Sequence, residues 1–496
     1  MNTHVVVAGW GQVTQPKQAQ DPKDPLELMV EAAEKAGQKL ADPGLLSRVD
    51  GILVVRPLSA HYPDAPDRVA RRLGARPTFT HISLIGGNSP QTLINQAAAM
   101  IAQNKLDRVL VVGAESYVCR NNTGERPDSA LLQGIPTAYS GDDAIGSTPL
   151  ENRHGIQHPM QGFALFETAL WHASGLDLPA YLENVGNMWS HFSQVAATHP
   201  YAWSKTRRTA REITTPAADN RPIAFPYTKF MNAFITVDQA AAVILMSEKA
   251  ARDCRKKELQ TVYFLGGGYA RDRQRFMVEK SDFTASPPLK AAVDKALDRA
   301  GLSLDQLDCF DFYSCFPCAV SIAKKMTGIL DTDPRPLTIT GGLGFFGGPG
   351  NNYNLHAVAT LAENIATQTC RTGLVTALGW FMHKHAAGIY SSLRPTKSLA
   401  AMNRADPEHH LTGPPPVPVD ETPEGNGIIE TYTIVYHKDH TPAYGVIYGR
   451  TREGLRFVAN TVQDADVFAA LTGRDMVGKT VRLKYHAAQG ITQAYF

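Results

Sequence analysis

Short apolar runs and amphipathic stretches at helical spacing alternate along this chain. Val5-Val6-Val7-Ala8-Gly9 predicts a first strand. Asp24-Pro25 opens a helix carrying Leu26, Met29, Ala32, Ala33 and Ala36 on one face and ending at Gly37. Ile52 to Val55 predicts a strand and Asp67 to Leu73 a short helix. An apolar run from Ile82 breaks at Gly86-Gly87, and Ser89-Pro90 then opens a helix, with Ser89 as its N-cap and Pro90 as its first residue. Arg108 to Glu115 returns as a strand. From Tyr117 to about Thr228 the periodicity is poor, with helices over Leu165 to Ser174 and Leu178 to Phe192. An irregular region of that length inside a compact domain is usually functional. Asp238 to Ser247 reads as the strand that closes this half.

The same order then repeats. Val262 to Leu265 predicts a strand ending at Gly266-Gly267-Gly268, and Pro288 to Ala300 a helix ending at Gly301. Leu307 to Phe312 is a strand, Gly341 to Asn352 a glycine-rich turn, Tyr353 to Ala366 a helix and Gly373 to Leu378 a strand. Two alternating halves with little residue identity predict a duplicated α/β fold with helices between and outside its sheets. After Arg394 the pattern changes. The stretch 396–425, with Gly413-Pro414-Pro415-Pro416, reads as a linker. Strands over Ile428 to Tyr436, Ala443 to Tyr448, Arg456 to Asn460 and Thr480 to Tyr485, with a helix near Ala465 to Leu471, predict a small β-barrel of OB type over 426–496.

Composition narrows the function classes. The chain has 496 residues, 43% hydrophobic and 19% charged, enough for two to four domains and a large core. A net charge of +2 gives no reason to expect nucleic acid as a partner. No apolar run reaches membrane-spanning length and the first residues form no signal peptide, so a cytoplasmic protein without a membrane partner is expected. Six cysteines in so long a chain do not make a disulfide framework. Cys315 and Cys318 form a C-x-x-C without a second pair, and His154 and His158 lack a third ligand, so no metal is expected. Gly473 to Thr480 fits the phosphate-loop pattern G-x-x-x-x-G-K-[ST], but it follows a helix and enters a strand. A phosphate loop does the reverse, so a turn before the last barrel strands is expected.

A strand breaking at glycines into a helix N-terminus makes a polar pocket whose free N–H groups favour thiolates and oxyanions. The unit from Ile82 to Ala98, followed by Gly113-Ala114-Glu115-Ser116, resembles the nucleophile unit of the thiolase superfamily. With its fused C-terminal domain, the chain resembles the thiolase-like type 1 proteins, relatives of sterol-carrier-protein thiolases. The resemblance covers roughly residues 1–395. It implies the five-layered αβαβα thiolase fold, with an N-terminal half over 1–250, a loop domain over about 117–228 and a C-terminal half over 251–395. It also implies coenzyme A or an acyl-CoA as ligand, lipid metabolism as setting, a homodimer as one assembly and a protein partner for the C-terminal domain.

The resemblance also implies four catalytic groups, and each is replaced. The first cysteine falls on Gly87. The H-D-C-F motif falls on Tyr313-Ser314-Cys315-Phe316. The histidine of the Gly-His-Pro motif falls on Gly348, and the Cys-x-Gly cysteine on Ala377. Acetyl-CoA acetyltransferase activity, the family's label, is therefore in question. Steroid side-chain aldolases of the superfamily also lack the cysteine and use a Tyr at this motif, which makes retro-aldol cleavage by Tyr313 an alternative. A non-catalytic acyl-CoA-binding or scaffold protein is the third reading. Candidate catalytic residues are Tyr313, His356 and His385; Ser89, Gly347, Gly348 and Asn351 are candidates for lining the ligand pocket.

Overall fold

The computed structural model describes residues 3–117, 146–399 and 411–496. Segment 118–145 of the expected loop domain and 400–410 of the expected linker lie outside the described residues.

In the first half, strands β1 (Val5–Thr14), β2 (Gly51–Val54), β3 (Phe79–Ile82) and β4 (Arg108–Ser116) are followed by the hairpin β5 (Pro222–Ala224) and β6 (Tyr227–Thr228), then by β7 (Asp238–Ser247). The second half holds β8 (Val262–Asp272), β9 (Cys309–Asp311), β10 (Thr372–Gly379), β11 (Lys384–Ser391) and β12 (Leu411–Thr412). Ten of these strands form one sheet, in the order β3-β2-β4-β7-β1-β8-β11-β10-β9, with β12 beside β8. The halves meet where Val5–Val7 pair antiparallel with Val262–Phe264. The order β8-β11-β10-β9 repeats β1-β7-β4-β2, as the duplicated pattern requires. Beside β9, where the first half has β3, Pro336 and Leu337 accept backbone bonds from Phe310 and Phe312.

Helix α1 (Pro25–Gly37) packs outside the first half, against β1, β4 and β7. Helices α2 (Ala65–Leu73) and α3 (Ser89–Ala102) follow. Helix α3 touches strands of both halves, including β4, β7, β8, β10 and β11, and is therefore a central layer. Between β4 and β5 in the chain lie α4 (Pro159–Ser174) and α5 (Leu178–Thr198), both longer than the periodicity suggests. In the second half α6 (Pro287–Ala300) is the outer helix, α7 (Pro317–Thr327) follows β9, and α8 (Tyr353–Ala366) lies beside α3 in the central layer. Every residue of β7 is buried, as expected for a strand covered by helices on both faces.

Two local expectations are corrected. Gly266-Gly267-Gly268 do not end β8, which runs through them to Asp272. A Cβ on Gly266 or Gly268 would meet the Ala296 or Ala292 carbonyl of α6 at 2.6 or 1.8 Å. These glycines mark a close helix approach, not a turn. Ser89 is not the cap of α3: the cap position is Asn88, and Ser89 Oγ instead donates back to the Leu84 carbonyl at 2.8 Å.

The C-terminal strands β13 (Gly425–Tyr436), β14 (Pro442–Thr451), β15 (Arg456–Thr461), β16 (Thr480–His486) and β17 (Ile491–Tyr495) form a closed five-stranded barrel in the order β14-β15-β17-β16-β13, with β14 and β13 also paired. Helix α9 (Ala465–Gly473) joins β15 to β16. The phosphate-loop look-alike is a turn from α9 into β16, with Gly478 at φ +80°. The barrel is built into the rest of the chain. β13 pairs with β5, Thr431 Oγ1 donates to the Leu165 carbonyl of α4, and buried Arg456 donates to the Lys280 carbonyl and pairs with Glu430. Barrel residues share one apolar core with α4, α5 and α7. Among the described residues no helix is long and apolar enough to cross a membrane.

Candidate functional site

Four segments converge at the N-terminus of α3: the 86–89 turn, the residues after β9, the 347–352 loop and the end of β10. Asn351 ties two of them, accepting from Gly86 N–H at 2.9 Å and donating to the Arg56 carbonyl at 2.8 Å. Asn352 donates to the Gly113 carbonyl and Asn354 to the Thr376 carbonyl, so the start of α8 is anchored to both halves. Glu115, at the end of β4, accepts from the Leu58 and Ser59 amides. A Cβ on Gly350 would stand 2.1 Å from its carboxylate.

Several side-chain carbonyl oxygens here have no hydrogen-bond partner, among them Asn88 Oδ1, Asn352 Oδ1 and Gln239 Oε1. Each lies where a glycine lacks a side chain: Asn88 Oδ1 against Gly86 and Gly379, Asn352 Oδ1 against Gly113, and Gln239 Oε1 against Gly347. That recurring geometry lets glycine Cα–H groups offer weak compensation, well below that of an N–H donor. Gly86 (φ +151°) and Gly347 (φ +117°) also adopt backbone conformations that favour glycine.

Tyr313 is the most informative residue. A Cβ placed on Gly87 would stand 2.1 Å from Tyr313 Oη and 2.6 Å from the Leu378 carbonyl. Gly87 does not have a positive φ, so occupied space, not the backbone, excludes a side chain. The phenol fills the volume beside Gly87, at the turn into α3. Tyr313 is 7% exposed, and burial, with a smaller contribution from Cys315, pushes its pKa well above the usual phenol value. Its ring stands edge-on to Tyr353 at 5.5 Å. Tyr353 donates to Asp311, which also accepts from the Thr338 and Thr340 hydroxyls and the Ile339 and Thr340 amides. The Tyr313 backbone N–H donates to Thr376 Oγ1. Cys315 is buried and burial raises its thiol, so it is held protonated. Gly348 differs from Gly87: a Cβ there would have its nearest neighbour at 3.4 Å, an ordinary contact.

The two histidines lie elsewhere. His356, buried on α8, holds Gln12 Oε1 through Nδ1 at 2.8 Å; burial and nearby His199 lower its pKa to about 3. His385 lies on the face of β11 opposite α3, with Nε2 3.0 Å from Ser286 Oγ at the start of α6. Burial, with a contribution from Lys280, lowers its pKa to about 3. Neither is placed beside Gly87. Ser89, Gly347, Gly348 and Asn351 do belong to the converging segments. Ala377 is buried on β10, paired with Ala386.

Sequence reasoning passed over Asn88 and Lys384. Lys384 is the first residue of β11 and is 3% exposed. It lies between His383 and His385 in the sequence. The signal for it was positional: a lysine where a buried hairpin strand begins, opposite the Cys-x-Gly position. A cavity of about 790 Å3 lies apart from this site, lined by Trp10, Lys35, Lys39, His199, Tyr201 and Glu363 among others. Among the described residues no group of three or more His, Cys, Asp or Glu is arranged to hold a metal.

Comparison with known proteins places this geometry. Residues 407–486 match the family model of the thiolase-like protein type 1 additional C-terminal domain. Over 143 residues the chain is 32% identical to a probable acetyl-CoA acetyltransferase of Dictyostelium discoideum, covering 29% of this chain and 31% of that protein. It is also 32% identical over 143 residues to an acetyl-CoA acetyltransferase of Schizosaccharomyces pombe, covering 29% and 33%. The chain thus matches about a third of the length of these curated relatives. Human mitochondrial 3-ketoacyl-CoA thiolase shares the fold, with TM-score 0.56 at 17% identity over 79% of this chain and 99% of that one. A monomeric SCP2-thiolase-like protein type 1 from Mycobacterium smegmatis aligns over 99% of both chains, with 32% identity and TM-score 0.81. On that full-length match, the chain belongs to the SCP2-thiolase-like type 1 family.

Proposed function

We propose that this chain handles acyl-CoA thioesters by proton transfer, without an acyl-enzyme, and that its reaction is retro-aldol cleavage of a 3-hydroxyacyl thioester. The observation that carries this reading is the Tyr313 phenol standing where a side chain on Gly87 would begin. A nucleophile cannot be accommodated there, and Gly348 and Ala377 offer no replacement. Retro-aldol cleavage needs none: it needs a group to take the hydroxyl proton, stabilisation of the enolate, and an acid to protonate it. Burial keeps Tyr313 a neutral phenol, suited to donate to the thioester oxygen or to the enolate carbon. The positive end of the α3 dipole adds to enolate stabilisation. Ser89, Gly347, Gly348 and Asn351 shape the turn that the acyl end would approach. His356 and His385, held neutral in the core, serve in positioning the sheet and helices around it.

The test is Tyr313→Phe assayed with a panel of 3-hydroxyacyl-CoA substrates. Loss of cleavage by about 100-fold or more, with the melting shift on adding CoA unchanged, is the expected result. Retained cleavage removes Tyr313 from the mechanism. The names of the curated relatives favour a second reading, acetyl-CoA acetyltransferase-like condensation, which predicts turnover that survives Tyr313→Phe. The barrel's strand order, with α9 between its third and fourth strands, supports an OB-type domain that recruits a protein partner. The domain division, a cytoplasmic setting and the role in lipid metabolism belong to the same proposal.

A further inference from the structure

The Tyr313 reading lacks a base, and the inner face of the β10–β11 hairpin offers one. Gly379 and Lys384 are direct cross-strand partners at its end. A Cβ on Gly379 would stand 3.2 Å from Lys384 Cβ and 2.2 Å from Asn88 Oδ1. The Lys384 side chain therefore leaves the sheet on the face where Asn88 begins α3. The Ala377–Ala386 pair, one step along the hairpin, is on that face too, since residues two apart on a strand share a side. Ala377 is the position of the cysteine that moves the proton in the resembled family, so Lys384 starts beside the place that cysteine left. The remaining parts are close by: a Cβ on Gly86 would be 3.6 Å from Gly379 Cα, and one on Gly87 would meet both Leu378 and Tyr313. Asn88 Oδ1, buried and without a hydrogen-bond partner, faces the same group.

Resting on the proposed retro-aldol reading, we infer that Lys384 is the catalytic base that pairs with Tyr313. The neutral amine takes the proton of the 3-hydroxyl. The bond between C2 and C3 breaks, C3 becomes the carbonyl of the departing aldehyde or ketone, and its electron pair moves into the thioester as an enolate. Tyr313 protonates C2 to give the shorter acyl-CoA. The proton on Lys384 then returns to Tyr313 through solvent, so no oxidant or reductant is consumed. Burial supports the role, because it lowers the pKa of Lys384 to about 7, where an amine holds a useful neutral fraction near neutral pH.

The test compares full-length wild type, Lys384→Met and Lys384→Cys in two assays: cleavage of 3-hydroxybutyryl-CoA and exchange of the C2 hydrogens of acetyl-CoA in deuterium oxide. Lys384→Met should lose about 100-fold or more in cleavage, with the CoA-induced melting shift intact. Lys384→Cys should recover activity after aminoethylation, with the acidic limb of the pH–rate profile displaced to lower pH because the sulfur lowers the amine pKa; a purely structural role would leave that limb where wild type has it. Lys384→Met within about threefold of wild type, alongside an inactive Tyr313→Phe, overturns the base and leaves the Tyr313 reading standing. If wild type neither cleaves nor exchanges, the retro-aldol reading falls, and trace reductive methylation decides the lysine separately. Shielding of Lys384 by acetyl-CoA would keep it in the binding site, and unshielded labelling would remove it.

Discussion

Gly87 and Gly348 stand at two motif positions that the family resemblance singles out, yet their surroundings differ. At Gly87 a side chain would collide with Tyr313 and the Leu378 carbonyl, whereas at Gly348 there is ordinary room. Gly87→Ala should therefore destabilise the protein by about 1–3 kcal/mol through overpacking, and Gly348→Ala should stay within about 0.5 kcal/mol, both read from urea unfolding. Gly87→Cys alone should not restore an acyl-enzyme. Combined with Tyr313→Ala, which vacates the volume, it should recover part of the lost stability. Gly87 and Tyr313 are thus sterically coupled. Lys384 carries a cost of its own. Its folded pKa, about 7, lies below the unfolded lysine value, so between those two values the unfolded chain binds more protons. Stability rises with pH across that window and is lower at pH 7 than at pH 10 on this account. Lys384→Met should raise the melting temperature at pH 7 while abolishing turnover, the usual sign of a charged group retained in a buried site for function.

At the scale of elements, the central helices α3 and α8 owe their polar residues to the strands they join. His356 reaches Gln12 on β1, and His199 at the end of α5 reaches Thr360 on α8. His199, His356 and His385 have pKa values lowered by burial to about 4, 3 and 3. Unfolded imidazoles take up protons below about pH 6.5, while these folded ones stay neutral until about pH 4 or lower. Their contribution is present above the unfolded value and is lost as pH falls. From pH 7 to pH 5 each should cost about 2 kcal/mol, seen as a lower urea midpoint at pH 5. Replacing His385 by Gln should flatten that dependence by about one histidine's share.

For the whole molecule, the C-terminal barrel and the thiolase-like body share a core. Thr433 Oγ1 donates to the Phe225 carbonyl, Tyr448 to Glu151 and Tyr444 to the Gly155 carbonyl. Arg456, fully buried, lies over the Phe283 ring while bonding Lys280 and Glu430. Deleting residues 411–496 would expose this apolar face of α4 and α7. The truncated chain should lose its cooperative thermal transition, measured by calorimetry, instead of leaving a stable body. Arg456→Ala should destabilise the full chain by about 3–5 kcal/mol, because Glu430 and the Lys280 carbonyl lose their buried partner.

What the sequence determined by itself is the duplicated order of strands and helices. Each half's apolar runs, its proline helix starts and its glycine-marked helix ends are local, and they recur in α1 and α6 and in the turns before α3 and α8. The same local reading misjudged Gly266-Gly267-Gly268, since a glycine run looks alike whether it turns the chain or admits a helix. It also gave Ser89 the cap of α3, one residue late. The motif positions that the resemblance points to, Gly87, Gly348 and Ala377, were legible because each lies in a short stretch at fixed spacing. What surrounds them was not legible, since Gly87 and Tyr313 are far apart in the chain and meet only when β9 and α3 are packed. His385 and Lys384 are adjacent in sequence but point to opposite faces of β11, a difference fixed by the hairpin register with β10. Chain order supplied the elements and the motif positions; long-range packing decided which side chains face them.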